Sequence, residues 1–288
     1  MALRILKGLG LIIVFVGLTA LFSVVLRPLA LDGGQTGNMP APVVESPAHA
    51  TANPAANPAE RQEAQPGGPK VAILVTELGT DAAFAAAAIE KLPPVFGLAF
   101  LPAGESSRLL AKRARLYGHE VWVGLPMQPR GWPKVSPGPN TLLLADPAGA
   151  NAQRAEWVLG QVDRPVGVYT MMGSAFTADA AAMAPVADVV RQHGVVLLDA
   201  RSVGNSVAAR VVTEAGGRAL TNDMFIDNDP NPAAIAAALD RLAARAQMHG
   251  QAVGIARALP ATLQQLPQWA EQLDNTGVTL VPPSRLAP

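Results

Sequence analysis

The chain contains no cysteine, which excludes disulfides, a thiolate nucleophile and any cysteine-ligated metal. It has no excess of either charge, since 22 Lys plus Arg balance 22 Asp plus Glu. A broad basic field for nucleic acid or a polybasic membrane-surface segment is therefore not expected from composition. Histidine is scarce, with four in 288 residues. His49 lies in a Pro/Ala-rich stretch, His119 precedes an apolar run in "GHEV", and His193 and His249 each precede a glycine. What the chain has in abundance is apolar surface, at 50% of residues, enough for a sizeable core.

The amino terminus carries Arg4 and Lys7 before the unbroken apolar run "GLGLIIVFVGLTALFSVVL", residues 8–26. A run of about 20 apolar residues spans a bilayer, and charges before it hold the amino terminus in the cytoplasm. The expectation is a signal anchor (1–32) in a bacterial inner membrane, crossing once, with the C-terminal domain in the periplasm. The alternative is a cleaved signal peptide using "AHA" at 48–50, although that triplet lies far beyond the apolar run. Residues 33–69 are rich in Pro, Ala, Gly and Asn without apolar periodicity, the composition of a linker.

From residue 70 to 288 short apolar runs alternate with Ala-rich amphipathic stretches. The strand-like runs are 71–76, 95–101, 120–126, 166–170, 195–200, 218–223, 252–257 and 278–283, and helix patterns fall between them. Runs apolar on both faces and separated by helices indicate parallel strands covered on both sides. Seven or eight such units in succession favour a β/α barrel over a doubly wound open sheet. "RQHGVV" and "QMHGQAV" place Gly194 and Gly250 as left-handed caps of helices. Turns after helices lie on the barrel face opposite the active site, so no histidine is expected on the catalytic face. That excludes the usual His-ligated zinc hydrolase site and argues against a Ser-His-Asp triad.

Strand ends supply the catalytic-face candidates: Thr76 and Glu77, Gln128, Tyr169 to Met171, Asp199 and Arg201, Asp223, Asp227 and Asp229, and Arg257. Five converging carboxylates would bind a hard cation through oxygen. The plainer reading is that Asp199 pairs with Arg201 or a neighbouring loop, and that Asp227 and Asp229 cap the next helix. Trp132, in "QPRGWPKVSPGPNT", either stacks on a sugar face or packs beneath its loop.

The ordered set "VAILVTELG", "GLAFLPAGE", "GHEVWVGLPMQP", "PGPNTLL", "GVYTMMGSAFTAD", "VVLLDARS", "NDMFIDNDPNPAAI" and "AVGIARALPATL" resembles the divergent polysaccharide deacetylase family, relatives of the NodB-type carbohydrate esterases. The resemblance implies an irregular seven-stranded β/α barrel, with the last run as an edge piece. In active members of the superfamily one aspartate is the general base, and a second aspartate with two histidines holds a divalent metal, usually zinc. Here Thr76 and Glu77 stand where the family has two aspartates. Tyr169, Thr170 and Met171 replace Asn-Asn-His, Ala256, Arg257 and Ala258 replace Gly-His-Pro, and Gln128 replaces a glutamate. The scaffold residues Asp199, Arg201, Asp223 and Asp227 remain.

The resemblance therefore implies a catalytically inactive relative without bound metal, with Glu77, Asp199, Arg201, Asp223, Asp227 and Arg257 as the remnant site. Trp132, Tyr169 and Gln128 are candidate ligand contacts. Since the first and seventh strands become neighbours on barrel closure, a Glu77 to Arg257 ion pair is expected in the cation's place. Three functions stay open: a glycan-binding or envelope-protein-binding scaffold, an active deacetylase with an oxygen-only metal site, and a domain that only places the anchor beside a partner.

Overall fold

The structure, a computed structural model, describes residues 67–102 and 104–288. The expected anchor and the linker up to residue 66 lie outside the described residues. Among the described residues no helix is long and apolar enough to cross a membrane.

Strands and helices alternate as β1 (Lys70–Leu78), α1 (Ala82–Lys91), β2 (Gly97–Phe100), α2 (Glu105–Leu116), β3 (Val121–Met127), α3 (Ala148–Leu159), β4 (Gly167–Met172), α4 (Ala180–Gln192), β5 (Val196–Asp199), α5 (Ala208–Glu214) and β6 (Arg218–Thr221). They continue with β7 (Met224–Phe225), α6 (Pro232–His249), β8 (Gln251–Arg257), α7 (Pro260–Leu273) and β9 (Thr279–Leu280). All sheet pairs are parallel, in the order β6-β5-β4-β3-β2-β1-β8-β7, with β9 beside β1.

The run expected as one strand over 218–223 breaks in the middle. The Asn222 N–H donates to the Asp199 carbonyl on β5 (2.8 Å), and the next amide, Asp223, donates to Val253 on β8 (2.9 Å). The chain thus changes partner between two consecutive residues, so both edges of the curled sheet are held by adjacent pieces of one segment. β7 is too short to carry a hydrophobic period, which is why it does not stand out in the sequence.

"VAILV" is continuously apolar because both faces of β1 are covered. Val71, Ile73 and Val75 pack outward under the helices, while Ala72 and Leu74 join an inner cluster with Trp122, Tyr169, Leu198 and Ile255. Two glycines make room inside the curl. A Cβ on Gly167 would lie 2.2 Å from the Trp122 ring, and one on Gly124 would lie 3.0 Å from the Tyr169 ring. Every described core residue falls between Val71 and Leu286.

Helix ends follow the expected chemistry. Asp81 accepts from the Phe84 amide (2.9 Å), Asp179 from Ala182 (3.0 Å) and Asn231 from Ala233 (2.9 Å). Gly194 (φ 65°) and Gly250 (φ 84°) are left-handed after α4 and α6. His193 and His249 lie at those helix ends, and His119 is buried just before β3, with its ring nitrogens 3.0 and 3.1 Å from the Phe96 and Ile89 carbonyls.

Candidate functional site

A cavity of about 610 Å³ opens at the carboxyl ends of the strands, the end where β/α barrels carry their chemistry. Glu77 from β1, Tyr169 to Met172 from β4, Phe225 from β7 and Arg257 from β8 contribute to its wall. Three non-glycine residues at or just past strand ends on this side are left-handed: Glu77 (φ 66°), Met172 (φ 60°) and Arg201 (φ 50°). Each such residue costs about 1–2 kcal/mol, which the surrounding fold must supply.

The carboxylates do not converge. Asp199 accepts from the Arg201 amide (2.9 Å) and the Ser206 hydroxyl (2.7 Å). Asp223 turns outward to Arg245 Nε (2.8 Å) and the Val253 amide (2.9 Å). Asp229 accepts from the Asn231 amide at the start of α6 (3.0 Å). Arg201 faces an adjoining groove with Asn222, Asp223 and Arg241. Only Glu77 among these carboxylates lines the cavity.

The expected Glu77 to Arg257 ion pair does not form, because Arg257 belongs to Asp227. The Arg257 amide donates to Asp227 Oδ2 (2.7 Å), its Nε reaches Oδ1 (3.4 Å), and its Nη2 donates to the Asp227 carbonyl (2.5 Å). The Thr262 hydroxyl of α7 adds a bond to Oδ2 (2.9 Å). The strands are neighbours as expected, with Thr76 opposite Arg257. What differs is solvation: Asp227 is 1% exposed and needs the cation, whereas the left-handed Glu77 turns into solvent and does not.

Tyr169 is the candidate ligand contact that does line the cavity. Its hydroxyl is buried and has no hydrogen-bond partner. The Thr76 side chain and the Glu77 backbone lie beside it, and the Thr76 hydroxyl donates to the Ala256 carbonyl (3.2 Å). Burial pushes the Tyr169 hydroxyl above the ordinary tyrosine range, and the Glu77 charge adds to the shift. Gln128 and Trp132 do not line the cavity. Gln128 is a loop clasp, its side chain accepting from the Leu144 amide (2.8 Å) and its carbonyl from the Ala175 and Phe176 amides (both 3.1 Å). Trp132 is half-buried. The sequence reading missed Phe225 on the undetected β7, and Ser136 and Pro137, which overhang the cavity from a Pro-rich loop without periodicity.

Among the described residues no three of His, Asp and Glu lie together as a metal site requires. The zinc of active superfamily members has no matching ligand set among the described residues, because His119, His193 and His249 sit at the other end and Asp199, Asp223 and Asp227 are bonded within the scaffold.

A curled all-parallel sheet wrapped by helices, with its cavity at the carboxyl ends of the strands, defines an α/β protein of the deacetylase barrel type. The chain belongs to the divergent polysaccharide deacetylase family, whose model matches residues 73–287. It is 28% identical over 197 residues to an uncharacterised protein of Haemophilus influenzae, covering 68% of this chain and 69% of that one. It is 27% identical over 206 residues to YibQ of Escherichia coli, again over 68% of this chain but only 60% of the relative's length. Among solved structures, an uncharacterised protein of Agrobacterium tumefaciens matches at 30% identity with a TM-score of 0.75, over 77% of this chain and 91% of the other. A putative cellobiose-phosphate cleavage protein of Enterococcus faecalis shares the fold at 13% identity and a TM-score of 0.56, over 77% and 100% of the two chains.

Proposed function

We propose that this chain is a non-hydrolytic member of the family, anchored in the bacterial inner membrane by residues 8–26. Its C-terminal domain stands in the periplasm and holds a glycan, peptidoglycan or another polysaccharide, at the cavity, or scaffolds an envelope protein there. The observation that carries the reading is the Tyr169 hydroxyl, which is buried against the cavity without a partner. An unpaired buried hydroxyl costs about 1–3 kcal/mol. A sugar hydroxyl or acetamide reaching the floor supplies the missing bond, and Leu101, Met171 and Phe225 offer apolar contact for a ring face. Among the described residues no group in the cavity both binds zinc and activates water, so the ligand is held and not cleaved.

The test is calorimetric titration of the purified chain with N-acetylglucosamine oligomers, beside an acetate assay with added divalent metals. Binding without acetate release is expected, weakened about three- to tenfold by Tyr169→Phe, the loss of one hydrogen bond. Acetate release abolished by a chelator and by Glu77→Ala would instead establish the oxygen-only metal deacetylase.

A further inference from the structure

Three of the large apolar side chains left exposed among the described residues fall within nine positions: Leu109 (61%), Leu116 (79%) and Tyr117 (47%). All lie in α2 or at its C-cap, whose inner face buries Ser107, Leu110, Ala111 and Ala114. The outer face carries Glu105 in its first turn and then Arg108, Leu109, Lys112 and Leu116, all exposed and spaced to share one side of a helix. Arg113 and Arg115, at its margins, are tied to Glu90 and to Asp163. Arg108 and Lys112 enter no ion pair among the described residues. The Arg113 guanidinium also stands 5.8 Å above the Tyr117 ring, fixing that aromatic at the helix end.

Leucines interleaved with unpaired cations, and an aromatic at the end, fit an anionic lipid surface: the apolar groups enter the acyl boundary and the cations meet headgroups. A protein groove would cover the leucines equally well but gives no reason for two free cations between them. The position of the patch argues the same way. All strands are parallel and begin at one end, so Tyr117, just before β3, lies at the end where β1 begins at Lys70. The residues that precede Lys70 include the apolar run 8–26.

We infer that the C-terminal part of the outer face of α2, from Leu109 to Tyr117, rests on an anionic phospholipid bilayer, leaving the cavity mouth, at the opposite end of the strands, free of lipid. This rests on the membrane anchoring proposed above, and the two are separable by experiment.

The absence of cysteine makes single-site labelling clean. Full-length protein carrying an environment-sensitive dye at Leu116→Cys, Leu109→Cys or, as control at the loop clasped by Gln128, Leu144→Cys is mixed with vesicles. One set contains phosphatidylglycerol and the other only phosphatidylcholine. The dyes at 116 and 109 are expected to shift to the blue and be quenched by doxyl lipids on the anionic vesicles alone, while the dye at 144 stays at its aqueous value. Arg108→Gln and Lys112→Gln are each expected to lower the lipid-bound fraction of α2 about fivefold, one charge's worth of attraction to the surface. All these side chains are exposed, so folding is not at risk. Vesicle flotation of the same samples after a carbonate wash, which strips peripheral contacts and leaves an inserted span, reports the anchor. Flotation without a dye shift leaves the anchor standing and overturns the α2 inference. A dye shift on anionic vesicles without wash-resistant flotation does the reverse. Equal shifts on both vesicle types, or a shift only after another protein is added, also overturn it.

Discussion

The two ends of the curled sheet treat their polar groups in opposite ways. At the amino end the Trp122 indole donates to Glu120 (3.1 Å), and that carboxylate also accepts from the Ser284 amide (3.1 Å) and hydroxyl. Arg218 then gathers the Ser284, Ala287 and Pro288 carbonyls, so the C-terminal turn (Pro283–Leu286) seals this end. At the carboxyl end the Tyr169 hydroxyl is left unpaired, Glu77 and Met172 hold left-handed backbone, and the cavity stays open. Satisfied polar groups add to stability, whereas a buried hydroxyl left unpaired subtracts from it. Asp199, Asp223 and Asp227 follow the first pattern, each hydrogen-bonded within the scaffold, while Tyr169 and Glu77 follow the second.

The difference is broken most severely at the sealed end. Trp122→Ala removes the largest fully buried side chain and is expected to cost about 3–5 kcal/mol. Thermal unfolding followed by circular dichroism should show the midpoint falling by roughly 10 °C or more. A smaller loss is expected from Asp227→Ala, which strips Arg257 and Thr262 of their shared carboxylate. About 2 kcal/mol by denaturant titration is the expected cost, against almost none for Glu77→Gln, because Arg257 depends on the buried acid and not the exposed one.

At the open end the expected effects are smaller. Glu77→Gly relieves the left-handed strain but adds unfolded-state freedom, so stability should change by no more than about 1 kcal/mol. The mildest effect is on pH dependence. Tyr169 is raised in the folded state by burial, so its contribution is fully present below the ordinary tyrosine pKa of about 10 and is lost as pH climbs above it. Unfolding titrations above that pH should show a decline that Tyr169→Phe flattens. An equal decline in both proteins would mean that the hydroxyl is solvated.

Much of the fold was legible because both-face burial writes itself as continuous apolar runs, as in "VAILV" and "VVLLD", and because caps such as Asp81 and Gly250 act through local chemistry. The segment from Arg218 to Phe225 was not fully legible, since a partner change between Asn222 and Asp223 leaves no mark in residue type. The same holds at the site. Tyr169 could be read from its strand end, and so could the neighbourhood of Thr76 and Arg257. Which acid Arg257 would choose depended on burial depth and on the left-handed turn at Glu77, and neither is written in the local sequence.

We propose that Asp199, Asp223 and Asp227, bonded within the scaffold, assemble no metal site with Glu77. Equilibrium dialysis of the full-length protein against zinc, with metal counted per chain, tests it most directly. No stoichiometric zinc is expected, in the wild type and in Glu77→Ala alike. One zinc per chain, lost on Glu77→Ala, would contradict it.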